Sequence, residues 1–311
     1  HLVFANYHSK VPSIAAISPS TQTYLDYSLQ GIAAKSAELQ STGVAEEVAD
    51  AAAQRIQFNE YLTNTRYFTE YGENIRMLGL TMNTTSLRTG TALFAEVGHH
   101  FDYPMPVVIN QRLDQVLPGS MPTTPFPPVE LDEVSPEEIS RDYANKRVSF
   151  TEKLDKTFVS VGATQIFGPR LGASQAALTA EIGWLHVWDF PDKNELLLIA
   201  PGITVPQTEP SSLFADANSW GYRLAANLTY NNVLGSVNLS PRLIFTHDVK
   251  GNSPSGAGSF REKYKSFTMG LEASYIQRVR ADISYTAFFG GGEYNLREDR
   301  DFINFNIRYF F

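Results

Sequence analysis

The feature that most constrains the fold of this chain is a two-residue alternation of apolar and polar side chains in its last third. Successive side chains of a β-strand point to opposite faces, so an alternation of this kind predicts strands with one apolar and one polar face. Runs of this type occupy about 222–230, 237–245, 267–275, 283–289 and 303–311. In the last run, the apolar face is formed by Ile303, Phe305, Ile307, Tyr309 and Phe311.

Two architectures are compatible with this alternation: a β-sandwich with the apolar faces turned inward, and a transmembrane β-barrel with them turned outward. Aromatic residues at both ends of the apolar faces favour the barrel, because aromatic girdles mark the two membrane interfaces. Examples are the pairs Tyr222/Tyr230 and Phe267/Tyr275. The ending with Tyr309 and Phe311 on one face of a final strand also resembles the assembly signal of bacterial outer-membrane barrels.

Connection lengths between the predicted strands alternate between short and long. Short connections fall at about 277–280, 231–235, 167–173 and 86–90, and the connections that alternate with them along the chain are long. Tight periplasmic turns and long extracellular loops are typical of outer-membrane barrels. The ten predicted strands are about 300–311, 280–290, 264–277, 235–248, 218–231, 174–189, 152–166, 89–101, 74–85 and 2–9.

We therefore predict an all-β fold, an antiparallel transmembrane β-barrel with about ten strands in this chain and further strands outside it. Residues 1–311 form a single domain in the bacterial outer membrane, with the C-terminus on the periplasmic side. No stretch of 18 apolar residues provides a transmembrane helix.

Two long extracellular insertions interrupt the strands. Residues 12–73 have helical spacing of apolar residues; Gly43 is expected to separate two helices, and Thr42 is expected to cap the second one. Residues 102–150 hold eight of the 17 prolines. This density is expected to prevent pairing in a sheet, and Ser135 before Pro136 predicts a helix start.

Composition and motifs exclude several kinds of chemistry. The chain has no cysteine, so disulfides, thiolate metal sites and cysteine nucleophiles are ruled out. A net charge of −8 and the lack of basic runs argue against nucleic-acid binding. His186 and His247 lie near predicted strand ends, where ring side chains suit the membrane interface, and His99 and His100 should point to opposite faces. We predict no enzymatic activity and no catalytic, cofactor or metal site.

The polar faces of the strands provide the candidate functional residues. As lumen-lining groups of a barrel they would border a pathway, and their mixed charges suggest no strong ion selectivity. The alternative is a network of hydrogen bonds and ion pairs that stiffens the wall. The candidates are Glu181, Arg223, Asn227, Asn238, Arg242, Glu272, Asp282, Asn304, Asn306 and Arg308.

Several short strings carry a family resemblance. They are FANYHSKVP at 4–12, YFTEY at 67–71, IRMLGL at 75–80, NT at 83–84, FGP at 167–169, LGA at 171–173 and EIG at 181–183. As an ordered set they resemble an uncharacterised proteobacterial outer-membrane family that is catalogued only as a domain of unknown function. The resemblance implies that this chain is the C-terminal half of a longer precursor that carries a signal peptide.

Members of this family are thought to serve passage or export of hydrophobic compounds, sometimes beside an exporter of the resistance–nodulation–division class. We therefore expect a porin-like channel for small hydrophobic or amphipathic molecules, gated by the long loops. Expected partners are outer-membrane lipids and lipopolysaccharide, the barrel assembly machinery and an envelope protein. The alternatives are a structural or partner-docking barrel and, third, a lipid-modifying barrel enzyme. Apolar stripes at 25–32 and 107–117 either fold over the channel mouth or pack on each other.

Overall fold

The computed structural model describes residues 1–109, 111–112, 135–202, 211–276 and 278–311, which form an all-β structure with a helical insertion. The strands of these residues are β1 (Leu2–Tyr7), β2 (Pro12–Ile17), β3 (Arg66–Tyr71), β4 (Ile75–Thr85), β5 (Ala92–Pro106), β6 (Arg147–Ser149), β7 (Thr151–Phe167), β8 (Gln175–Val187), β9 (Asn218–Leu234), β10 (Val237–Lys250), β11 (Tyr264–Tyr275), β12 (Val279–Gly290) and β13 (Phe302–Tyr309).

Ten strands form one antiparallel sheet in the order β1-β4-β5-β7-β8-β9-β10-β11-β12-β13. The sequence-based prediction of about ten antiparallel strands is confirmed, and each predicted strand corresponds to one of these ten. The sheet has β1 and β13 at its edges, and the described residues show no pairing between these two strands. Within this chain the sheet is therefore open.

The two ends of this sheet differ in the length of their connections. At one end, called the turn end here, the strands are joined by residues 86–91, 168–174, 235–236 and 276–278. At the other end, the loop end, the connections are residues 8–74, 107–150, 188–217, 251–263 and 291–301. All long connections therefore lie at one end of the sheet.

The two faces of the sheet also differ. Residues directly opposite each other in neighbouring strands project to the same face. The pairs Glu181↔Arg223 and Glu272↔Asp282 therefore belong to one face, called the polar face. The other face, the apolar face, carries large side chains that remain exposed, with Ile182 at 56%, Met269 at 49% and Phe305 at 64%.

The buried core lies against the polar face near the loop end. Met105 of β5 and Leu154 of β7 project to this face and are covered by Val148, Leu198 and other residues of the long connections. The core of this structure is thus built from loops folded onto one end of the sheet, while most of the apolar face stays uncovered. No helix within the described segments is long and apolar enough to span a membrane.

Residues 12–73 contain three helices, α1 (Thr21–Asp26), α2 (Leu29–Ser41) and α3 (Glu46–Asn64). Gly43 separates α2 from α3 with a φ of 93°, as expected. Thr42 does not cap α3. It ends α2 and donates its hydroxyl to the carbonyl of Leu39, because it lies too far from the first turn of α3 to reach the free amides there.

Three short strands were not predicted. β2, β3 and β6 form a separate sheet in the order β3-β2-β6, which joins both ends of the helical insertion to the residues before β7. The apolar stripe at 25–32 packs within the helices: Leu25 and Ile32 lie against a cluster that includes Tyr61 and Ile139. This favours the alternative in which the stripe holds the insertion together.

The proline-rich insertion differs from its prediction at its start. Pro104 and Pro106 lie in β5, paired with β7. The Val107 amide donates to the Phe150 carbonyl, so alternate residues direct their amides to β7 and the two prolines lose no ladder bond. Ser135 begins helix α4 (Pro136–Glu138), as predicted. Residues 113–134, with most of the prolines, lie outside the described residues.

Candidate functional site

The register of the sheet places all ten candidate residues on the polar face. Cross-strand pairs connect them directly, as in Arg242↔Asn227 and Asp282↔Asn306. Six of them gather with Arg280 around one cavity of about 220 Å³ on β10 to β13. These six are Arg242, Glu272, Asp282, Asn304, Asn306 and Arg308.

An ion pair organises this cavity. The Arg242 guanidinium binds the Asp282 carboxylate through two hydrogen bonds, one of them 2.9 Å long. Both side chains are partly exposed, at 31% and 21%. Because both partners are charged, their hydrogen bonds are stronger than bonds between neutral groups. Gly270 makes room for it, because a Cβ at this position would lie 2.7 Å from the Arg242 Cζ atom.

The cavity carries a surplus of positive charge. Arg280 and Arg308 are direct cross-strand neighbours, and Arg242 is the third arginine against the carboxylates of Glu272 and Asp282. The Arg280 guanidinium lies 5.4 Å from the ring centroid of Phe310. Local charges of this sign attract carboxylates and other anionic groups.

The remaining candidates lie elsewhere on the polar face. Glu181 accepts a hydrogen bond from the Ser160 hydroxyl at 2.6 Å, beside its cross-strand neighbour Arg223. Asn238 accepts from the Asn232 amide at 2.9 Å near the turn end. These residues connect neighbouring strands through hydrogen bonds. A role in stiffening the wall therefore fits them better than it fits the residues of the Arg242 cavity.

A connection that the sequence analysis did not single out crosses the polar face. Residues 251–263, called the covering loop here, leave β10 and reach as far as β5. The Lys156 ammonium donates to the Ala257 carbonyl at 2.8 Å, and the Tyr103 hydroxyl donates to the Gly256 carbonyl at 2.7 Å. The loop therefore lies over β7 to β9 near the loop end of the sheet.

A glycine on the polar face marks the path of this loop. A Cβ at Gly183 of β8 would lie 3.2 Å from the ring of Phe260, so the covering loop approaches the sheet at a position without a side chain. Glycine inside a strand often marks such a close approach. Gly183 is therefore a sequence signal that could have indicated a covering segment.

Carboxylates and an amide fix the base of the covering loop. The Glu262 carboxylate accepts from the Gly251 amide at 3.1 Å, and the Glu262 amide donates to the Asn252 side chain at 2.9 Å. The Arg261 amide donates to Asp248 at 3.0 Å. The bond from Gly251 is the main reason why the pKa of Glu262 lies below its usual value. The loop is thus held in a defined position at its base.

The histidines occupy separate environments. His99 pairs with the Thr157 hydroxyl at 2.9 Å and His100 with the Tyr7 hydroxyl at 2.8 Å, and their different partners agree with the expected opposite faces. His186 stacks on Trp184 at 5.6 Å, and His247 lies 5.4 Å from Tyr222, both on the apolar face. No group of three or more potential metal ligands occurs among the described residues.

Aromatic rings mark both ends of the apolar face. Trp184, Trp220 and Tyr222 lie near the loop end, where Trp184 and Trp220 are cross-strand partners. Tyr275 and Tyr309 lie near the turn end. The ring of Tyr309 contacts that of Phe311 edge-on at 5.1 Å, and Tyr309 is 56% exposed.

Comparison with known proteins gives a family and no function. No curated protein and no solved structure matches the chain at a significant level. One family model, described as "Protein of unknown function (DUF1302)", matches residues 1–311. The resemblance to an uncharacterised family is confirmed at that level, and the chain belongs to the family so described.

Proposed function

We propose that this chain forms the wall of an outer-membrane β-barrel that acts as a channel for small hydrophobic or amphipathic molecules. The observation that carries this proposal is the difference between the two faces of the ten-stranded sheet. One face exposes large apolar side chains along its length, while the other carries charged and amide side chains and is covered by loops at one end.

An apolar face of this extent calls for an apolar environment. Soluble proteins rarely leave contiguous apolar patches larger than a few hundred Å² exposed. The aromatic residues at its two ends match membrane interfaces. From Trp220 to Tyr230 the strand rises about 33 Å, and at the roughly 40° tilt of such barrels this corresponds to an apolar band of about 25 Å.

The polar face then lines the interior of the barrel. The Arg242 cavity lies toward the turn end, which we place in the periplasm, and the covering loop narrows the interior toward the extracellular loop end. Lipid-exposed strand edges are not tolerated in a membrane, so both β1 and β13 require partners. We propose that further strands of a larger barrel supply them.

Partners follow from the same arrangement. The apolar face contacts outer-membrane lipids and, at the loop end, lipopolysaccharide. The exposed rings of Tyr309 and Phe311 are the proposed signal for the barrel assembly machinery. We propose no enzymatic reaction, cofactor or metal for this chain.

A partner-docking barrel is the second candidate. It is favoured by exposed apolar side chains on the helical insertion, where Leu29 of α2 is 48% exposed and Val48 of α3 is 60% exposed. These residues would contact an envelope protein at the loop end. The conductance of the chain in a bilayer separates this role from transport.

Shortening the covering loop tests the channel. The Ser253 amide donates to the Phe260 carbonyl at 3.1 Å, so residues 254–259 can be replaced by a two-residue turn. This removes the bonds to Tyr103 and Lys156, and we expect single-channel conductance in planar bilayers to rise severalfold because the interior is less obstructed.

A matched control exists at the turn end. The Ser86 amide donates to the Thr91 carbonyl at 2.8 Å, so residues 87–90 can be replaced by a two-residue turn in the same way. This variant should conduct like the unmodified chain. Equal conductance of both variants and the unmodified protein would contradict a role for the covering loop, and absence of any conductance when all strands of the barrel are present would contradict the channel.

A further inference from the structure

A second cavity lies at the loop end, separate from the Arg242 cavity. It has a volume of about 310 Å³ and lies between the start of β2, the end of β5 and the covering loop. Its base is formed by core residues: Val107 is 1% exposed and Phe150 is 7% exposed. Four different connections of the chain contribute to its walls, so it is a product of the folded loop end.

The rim of this cavity is apolar and open to solvent. Val11 is 71% exposed, Ile14 52% and Ile109 41%. None of the described residues that line the cavity carries a charge, and the Ser9 and Ser13 hydroxyls are already bonded to backbone carbonyls. A charged ligand would lose its hydration here without gaining a partner. The lining therefore selects a neutral, apolar occupant.

The size of the cavity selects a small molecule. A cavity of about 150 Å³ lined by apolar side chains binds benzene, and small-molecule sites begin at about 300 Å³. A volume near 310 Å³ thus accommodates a molecule with two fused rings or a short hydrocarbon chain, and it is too small for a folded partner.

One wall of the cavity belongs to the covering loop. Ser255 and Gly256 line it, the Ser255 amide donates to the Ile199 carbonyl at 2.7 Å, and the next residue of the loop, Ala257, accepts from Lys156. The loop therefore has the cavity on one side and the polar face of the sheet on the other.

We infer that this cavity is a binding site for one neutral apolar molecule of about two-ring size. That this site is the first one on a route through the barrel rests on the function proposed above. That the cavity binds such a molecule does not depend on that function. A molecule that enters at the exposed rim contacts the loop that narrows the interior.

Site-specific labelling tests binding, because the chain has no cysteine and any introduced thiol is unique. Ser255→Cys places a thiol in the cavity wall and Ser41→Cys places one at the exposed end of α2. Naphthalene at ten times its dissociation constant should slow maleimide labelling of Ser255→Cys about tenfold, by mass action. It should leave labelling of Ser41→Cys unchanged, and glucose should protect neither thiol.

Two outcomes would overturn the inference: no protection of Ser255→Cys, or equal slowing at both thiols, which would indicate partitioning into detergent. A rim variant gives an independent measurement. Ile14→Asp should abolish naphthalene binding, followed by its fluorescence, while Val48→Asp on the exposed face of α3 should not.

Transport is measured separately, so that the two failures can be told apart. In planar bilayers, Ile14→Asp should leave ion conductance unchanged. A complete barrel that binds naphthalene but never conducts would contradict the channel and leave the site standing. A chain that conducts without binding naphthalene would contradict the site alone.

Discussion

At Gly270 the polar face lacks a side chain at the place where the Arg242 guanidinium lies, and this vacancy lets Arg242 reach across β11 to Asp282 on β12. The geometry of the Arg242–Asp282 ion pair thus depends on glycine at position 270. The pair joins β10 and β12, which are not neighbours in the sheet, and no ladder hydrogen bond connects these two strands.

Gly270→Ala should displace Arg242 and break its paired hydrogen bonds, since the added Cβ would lie 2.7 Å from Cζ. We expect a loss of about 1–3 kcal/mol in the free energy of unfolding, measured by urea denaturation in lipid vesicles. Gly98→Ala on the same face is the control: its nearest neighbour would be 3.8 Å away, so its effect should stay within about 0.5 kcal/mol. Equal effects of both substitutions would contradict the link.

Glu262 predicts a pH dependence of the covering loop. Its pKa lies below the usual 4.5, chiefly because the Gly251 amide binds the carboxylate. A group whose pKa is depressed by folding stabilises the folded form above its unfolded pKa, and this contribution is lost as pH falls through the folded pKa. The contribution of Glu262 to holding the loop should therefore be complete from neutral pH down to about 4.5 and be lost at lower pH.

A nitroxide on Ser259→Cys, an exposed position of the loop, would report this change as increased mobility in electron paramagnetic resonance spectra. In a Glu262→Gln background the pH-dependent step should disappear. A step of unchanged size in that background would assign the transition to another group.

At the scale of elements, the helical insertion is separable from the large sheet. The chain segment that connects β2 to β3 contains α1, α2 and α3. The two strands also pair directly, and Ile17 at the end of β2 lies opposite Arg66 at the start of β3. Replacing residues 18–65 by Asn-Gly should close the pair as a two-residue hairpin. We expect the ion conductance of this variant to be unchanged, because the covering loop, and not the helical insertion, narrows the interior of the barrel.

The partner-docking alternative predicts a different result for the same variant. If α2 and α3 dock onto an envelope protein, the variant loses that complex in co-purification from membranes. Ser36→Ala, which removes the hydrogen bond to Asp50 between α2 and α3 and the one accepted from Gln40, is the control for local disturbance. A large change in conductance on deletion would mean that the helices, and not the covering loop, set the opening.

The elements also show what the sequence could and could not predict. The five C-terminal strands, β9 to β13, were predictable because each one carries its own two-residue period. The alternation of short and long connections supported the other five strands of the large sheet. β6 has three residues, and it pairs with β2, which lies more than a hundred residues earlier. Such a strand has no local signal. The covering loop has no apolar period either, and distant side chains such as Tyr103 and Lys156 determine its position.

The candidate site divides in the same way. The shared face of Glu272, Asp282 and Asn306 follows from strand alternation alone, so their grouping was predictable. The apolar cavity at the loop end was not, because Val11, Phe150 and Ser255 come from connections with no periodic pattern. Their contacts depend on how long loops fold against one another.

For the whole molecule, the distribution of side chains is reversed relative to a soluble protein. Charged and amide side chains gather on the face of the sheet that loops cover at one end, and large apolar side chains dominate the uncovered face. The mean hydropathy of −0.20 conceals this, since it averages the two faces of every strand. The central claim is therefore that the apolar face contacts lipid and the polar face contacts water.

A nitroxide scan along β11 tests that claim most directly, again because the chain has no native cysteine. Single cysteines at each position from 267 to 274, labelled in vesicles, report collisions with oxygen in lipid and with a nickel chelate in water. We predict a two-residue period, with oxygen favoured at Phe267, Met269 and Leu271 and the chelate favoured at Thr268 and Glu272. Accessibility to the chelate at both sets of positions, or at neither, would contradict the account.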